Sequence, residues 1–220
     1  MARDHSAHHP GHSEKVPPGA RVRRRASIGE IHFANGNSAR RVTVPPELDA
    51  ARVIRALALP PAKSLLLLIG GADEMDPALG ERLQQLFGRG LVPAAAECGA
   101  LILDGGTQTG IMALIGKGVA ERGHPPPLIG VAPTGRVTFP GDTSSGPDGP
   151  RTGLDPNHSH FVLVHGEDWG SETSMLCRLV AALGADIPVL VVLVNGGALT
   201  KDEVFRAVRR AMMGSRPTLI

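Results

Sequence analysis

Ala100-Leu101-Ile102-Leu103-Asp104-Gly105-Gly106-Thr107-Gln108-Thr109-Gly110-Ile111-Met112 joins an apolar run, a glycine turn and the opening of a helix. The run suits a buried strand, the two glycines allow a tight reversal, and Gly110 to about Glu121 reads as the helix that follows. The same grammar recurs on both sides. Leu65 to Ile69 leads to Gly70-Gly71-Ala72-Asp73 and a helix around Asp76 to Phe87. Leu128 to Val131 leads to Ala132-Pro133-Thr134-Gly135. His160 to Val164 leads to His165-Gly166-Glu167-Asp168-Trp169-Gly170 and a helix from about Ser171 to Leu183. Val189 to Val194 leads to Asn195-Gly196-Gly197 and a helix from about Lys201 to Met212. Five such units predict parallel strands joined by mostly helical crossovers: an α/β, Rossmann-like doubly wound, mainly parallel sheet with helices on both faces.

Upstream, Ser27 to Phe33 and Arg41 to Val44 alternate apolar and polar residues around Asn35-Gly36-Asn37, which predicts a short N-terminal β-hairpin. Glu47 to Leu59 reads as a helix with Leu48, Ala51, Ile54, Ala58 and Leu59 on one side, stopped by Pro60-Pro61. Residues 1–26 contain Pro10, Gly11, Pro17, Pro18 and Gly19 and little that could be buried. They read as a disordered His/Arg-rich tail, and 27–220 as a single domain. His5, His8, His9 and His12 in the tail would hold a transition metal only loosely, and no cofactor or specific metal site is expected. Residues 137–157 are the one long insert without periodicity, expected to be mobile at its centre and ordered over Leu154 to His160.

The 220 residues suit one α/β domain, and 42% hydrophobic against 20% charged is the balance of a globular chain. With one Trp, no Tyr and aromatics at 3%, the composition argues against single-stranded nucleic acid held by base stacking. A net charge of +2 supplies no global field toward DNA or an anionic membrane, although Arg21, Arg23, Arg24, Arg25, Arg40 and Arg41 cluster near the N-terminus. The longest apolar runs fall far short of the roughly 20 residues of a membrane helix, and the first 20 residues have no signal-peptide core. Cys98 and Cys177 form no CxxC and read as small core residues of a cytoplasmic protein.

In an open parallel sheet, ligands bind beyond the carboxyl ends of the strands, where these glycine turns converge. Backbone N–H groups approach closely there and helix N-termini favour negative charge, which suits a phosphate or diphosphate. The candidate ligand-binding residues are Gly70, Gly71 and Ala72, Asp104, Gly105, Gly106, Thr107, Thr109 and Gly110, Pro133 and Arg136, Gly166, Gly170, Ser171 and Glu172, and Asn195, Gly196 and Gly197. Thr107 and Thr109 would offer hydroxyls to phosphate oxygens. Arg136 either pairs with phosphate or is exposed. Asp104 either caps its own loop or faces the ligand, and Glu172 either answers the dipole of its helix or reaches a ribose hydroxyl. His158 and His160 would share one face of an extended segment, yet no Cys or carboxylate lies at zinc spacing. Asn157 and His158 read instead as a polar turn that orders the insert. Neither GxGxxG nor GxxxxGK[ST] occurs, which excludes the usual dinucleotide fingerprint and the Walker loop.

Ile69-Gly70-Gly71-Ala72, the Asp104 to Met112 turn, Gly130-Val131-Ala132-Pro133, Leu154-Asp155-Pro156-Asn157-His158-Ser159-His160-Phe161, Gly170-Ser171-Glu172 and Val194-Asn195-Gly196-Gly197 resemble, in order, the SLOG domain of TRPM-type (melastatin) cation channels. The resemblance covers about Ser64 to Arg210 and points to a stand-alone prokaryotic member of the LSDAT type. It implies a domain that binds a nucleotide-derived ligand such as ADP-ribose and a sensor role beside an effector protein in a bacterial signalling or conflict system; the sequence itself is compatible with a homo-oligomer. The same superfamily contains LOG-type phosphoribohydrolases acting on nucleoside monophosphates, whose Pro-Gly-Gly-x-Gly-Thr-x-x-Glu loop carries a catalytic Glu. Here Asp104 replaces the Pro and no carboxylate opens the helix. The phosphate-binding half is retained without the catalytic half, so a binder is favoured over an enzyme and no catalytic residue is assigned.

Overall fold

The computed structural model describes residues 26–71, 76–143 and 149–194, with the backbone of 218–219. Residues 1–25 of the predicted tail, Ala72 and Asp73, Asn195, Gly196 and Gly197, and the predicted 201–212 helix lie outside them. So does the centre of the insert at 144–148.

The strands β1 (Ser27–His32), β2 (Ser38–Val44), β3 (Ser64–Gly70), β4 (Ala100–Asp104) and β5 (Leu128–Pro133) come first in the chain. After them come β6 (Val137–Thr138), β7 (Thr152–Gly153), β8 (His160–Val164), β9 (Val189–Val194) and β10 (Thr218–Leu219). Eight form one sheet in the order β1-β2-β8-β5-β4-β3-β9-β10. β1 is its antiparallel edge and every other pairing is parallel. The predicted hairpin is therefore built into the sheet, because β2 pairs with β8.

The helices are α1 (Ala50–Leu57), α2 (Pro77–Leu86), α3 (Val92–Glu97), α4 (Gly110–Ala120) and α5 (Thr173–Leu183). Both faces of the central strands are apolar because both are covered. Leu65, Leu67 and Ile69 of β3 enter one core with residues of α1 and α5, while Leu66 and Leu68 enter another with α2, α3 and α4. Among the described residues no helix links β5 to β8. The insert fills that place, with Val137 and Leu154 packing on Ala132, Phe161 and Leu163, and β6 and β7 pairing within it.

Three local expectations change. α1 starts after Asp49, whose side chain accepts from the Arg52 N–H. It buries Ala50, Val53 and Leu57 and leaves Ala51 exposed. The helix predicted to stop near Phe87 continues through a π-helical turn, Phe87–Leu91, into α3. Cys177 is buried as expected, whereas Cys98 is exposed at the end of α3. Among the described residues no helix is long and apolar enough to cross a membrane.

Candidate functional site

The strand ends make a stepped rim. Asp104 ends β4 in register with Gly130, three residues before β5 ends at Pro133. The Asp104-Gly105-Gly106-Thr107 turn therefore folds across the sheet, over Gly130 and Phe161. A Cβ on Gly106 would lie 2.7 Å from the Gly130 Cα and 3.0 Å from the Phe161 ring, and Gly106 itself has φ +72. Glycine is required there on both counts. Returning from the insert, the chain is stitched to this turn. The Gln108 N–H donates to the Gly153 carbonyl at 2.8 Å and the Asp155 N–H to the Gly106 carbonyl at 2.9 Å.

Asp104 caps its own loop. It is 1% exposed, and its Oδ1 accepts from the Gly106 N–H at 2.7 Å. The same oxygen meets His158 Nε2 at 2.8 Å, while His158 Nδ1 meets Asp155 Oδ1 at 3.1 Å. The imidazole is fully enclosed and stacks on Phe161 with ring centroids 5.4 Å apart. Gly116 of α4 leaves room for the Asp155 carboxylate, which a Cβ there would strike. Burial pushes the His158 pKa down, but Asp104 and then Asp155 outweigh it and raise it from 6.5 to about 9. Two residues on, burial and then Arg40 lower the pKa of His160, which bonds to Ser159 Oγ. The two histidines thus do not act as a pair, and among the described residues no cluster of His, Cys, Asp or Glu is placed to hold a metal.

Thr107 is also turned inward, at 2% exposure, with its hydroxyl 3.0 Å from that of Thr109. Gly105, Thr109 and Gly110 remain accessible, and α4 begins without a side-chain cap. That helix start meets β3 and β9. A Cβ on Gly70 would collide with the Val194 carbonyl and with Ile111 of the first turn of α4. Chain order runs from β3 through β4 and β5 to β8 and then returns to the far side of β3 as β9. Gly70 therefore lies at the switch point, where ligands bind in this architecture. Gly71 beside it is half-buried.

The β5 and β8 turns form a second knot. The Gly135 N–H donates to the Gly166 carbonyl at 2.8 Å, and the Arg136 guanidinium pairs with Asp168 at 2.7 Å. Pro133 beneath them is buried. Asp168 is mostly exposed, so Arg136→Ala should cost less than about 1 kcal/mol in a urea-unfolding measurement. Glu172 is buried and its carboxylate accepts from the Gly170 N–H at 2.9 Å, beside Ser171. The predicted polar turn is present. Asn157 Oδ1 accepts from Asn35 and Asn37, which ties the insert to the hairpin turn. An open cleft of about 620 Å³, lined by Glu30, His32, Arg41, Phe139 and Asp142, lies apart from all these turns.

Sequence alone assigns no role to Asp155, Gly116, Gly130 or Trp169, the last of which stands 40% exposed beside Gly170. The Asp155 to Phe161 string was the visible signal for them. Residues 63–220 match the family described as SLOG in TRPM, prokaryote. The chain belongs to that family. This SLOG domain is 30% identical over 181 residues to the transient receptor potential cation channel subfamily M member-like 2 of Nematostella vectensis, covering 66% of the chain and 12% of the channel. It is 30% identical over 178 residues to subfamily M member 2 of Mus musculus, with the same coverages. With subfamily M member 7 of Rattus norvegicus it shares 26% over 220 residues, covering 84% of the chain and 11% of the channel. The SLOG domain thus spans about an eighth of the length of these relatives.

Proposed function

We propose that this SLOG domain is a cytoplasmic sensor that binds a nucleotide-derived ligand, ADP-ribose or a related nucleotide or nucleotide sugar, and passes the binding on to an effector protein. The observation that carries this reading is the uncapped start of α4, set against Gly70 at the switch point of the sheet. Its first-turn N–H groups have no partner within the helix, and the dipole favours an anion there. The accessible backbone at Gly71, Gly105, Gly166 and Gly170 extends the surface along the rim. The buried Asp104 and Thr107 shape the site from beneath. Phosphates rest on main-chain donors, with the Thr109 hydroxyl beside them.

No acidic residue occupies the first turn of α4, where a phosphoribohydrolase would need its carboxylate. This favours binding without cleavage. ADP-ribose, NAD and AMP are each titrated while the fluorescence of the single Trp, Trp169, is followed in a chain with no Tyr. A ligand present at a hundredfold its Kd should stabilise the fold by about 2.7 kcal/mol, visible as a raised melting temperature. No change with any of the three would overturn the reading. Free adenine released from AMP, and lost in Glu172→Ala, would reassign the chain as a hydrolase.

A further inference from the structure

We propose that His158 is a positioning residue for the ligand turn: as a buried cation between Asp104 and Asp155 it holds Asp104-Gly105-Gly106-Thr107 in shape, so that loss of its proton weakens ligand binding. The proposal rests on the rim being the ligand site. Its basis is a count of donors. Both ring nitrogens of His158 face carboxylate oxygens, at 2.8 and 3.1 Å, and a neutral imidazole has only one N–H to give. Deprotonation would set a nitrogen lone pair against a carboxylate in an enclosed site.

The effect reaches the turn through one atom. Asp104 Oδ1 serves both the Gly106 N–H and His158, and Oδ2 is buried without a hydrogen-bond partner. Asp155 is coupled in the same way, since its N–H donates to the Gly106 carbonyl. A single side chain therefore clamps the turn from β4 and from the insert together. Of the elements packed around it, β8 contributes the Phe161 ring and α4 faces Asp155 with Gly116, and among the described residues no charged group besides Asp104 and Asp155 acts on the ring. Asp104 and Asp155 are the charged groups that act on the imidazole, and they keep it protonated up to about pH 9.

The test uses the whole isotope-labelled chain. Nitrogen-detected spectra of the His158 ring and the Gly106 amide signal are followed from pH 7 to about pH 10, with ADP-ribose affinity measured at each step. The expected result is a doubly protonated ring at pH 7 and a Gly106 amide that moves with the ring's titration. Affinity should fall about tenfold across the same step, the equivalent of 1.4 kcal/mol. His158→Gln should bind about tenfold more weakly at pH 7 and show no such step. A singly protonated ring at pH 7, a Gly106 amide indifferent to the titration, or an affinity flat through it would each overturn the proposal, and the first two need no variant. If ADP-ribose binds at no pH while ring and amide still titrate together, the clamp stands and the ligand assignment falls.

Discussion

His158→Ala should unfold far more readily than the parent chain, by about 3–5 kcal/mol in urea at neutral pH, because it leaves two buried carboxylates with no cation between them. The pH dependence of the parent separates this from a simple loss of packing. The folded-state pKa of His158 is raised to about 9 from 6.5, so the protonated ring stabilises the fold. That contribution is complete below about pH 6.5 and is lost as pH rises through about 9. The interval, at about 1.4 kcal/mol per pH unit, corresponds to a loss on the order of 3 kcal/mol. Unfolding midpoints of the parent should fall across this window, and those of His158→Ala should not. A parent equally stable at pH 6.5 and at about pH 9.5 would mean that folding does not raise the pKa of the ring.

What the sequence showed and what it hid follow from the range of the forces involved. The runs at Leu65, Ala100 and Phe161 were legible because each is buried on both faces and its apolar character is uninterrupted, whereas Val189–Val194 was legible from its unbroken apolar residues although Leu193 is 50% exposed. The continuation of α2 into α3 was hidden by Gly88, Gly90 and Pro93, which look like breakers. Two core contacts override them: Phe87 and Val92 are fully buried, and a Cβ on Gly118 of α4 would lie only 3.2 Å from the Gly88 Cα. Pro93 stands in the first turn of α3, directly after the π-helical turn. The turns of the candidate site were found by their glycines, but the direction of each side chain was not. Asp104 points inward because its partner His158 arrives from 54 residues along the chain, while Thr107 turns inward with its hydroxyl on Thr109. No local pattern encodes that meeting. The Asp155 to Phe161 string signalled only that something there was specified.

Gly36→Ala, Gly130→Ala and Gly106→Ala form a graded series in which the last should be the most damaging. Gly36 has φ +87 and open space around its missing Cβ, so alanine there meets only backbone strain, about 1–2 kcal/mol. Gly130 has no such φ, but a Cβ would lie 2.5 Å from the Gly106 Cα and 2.8 Å from the Phe161 ring, an overpacking of about 1–3 kcal/mol. Gly106 carries both burdens, since its φ is +72 and its Cβ would press on Gly130 and Phe161. The two costs fall on the same atoms, so Gly106→Ala should approach their sum, about 2–5 kcal/mol. It should also shift the two peptide groups that flank Gly106, one whose N–H is held by Asp104 and one whose carbonyl accepts from the Asp155 N–H. Chemical unfolding of the three variants supplies the stabilities, and ADP-ribose titration at neutral pH reads the turn. Gly36→Ala, at the tip of the hairpin between β1 and β2, should leave that titration unchanged, whereas Gly106→Ala should abolish it. If Gly106→Ala were no less stable than Gly36→Ala, the turn would not be pressed against β5, and the buried clamp would have no rigid seat from which to shape the rim.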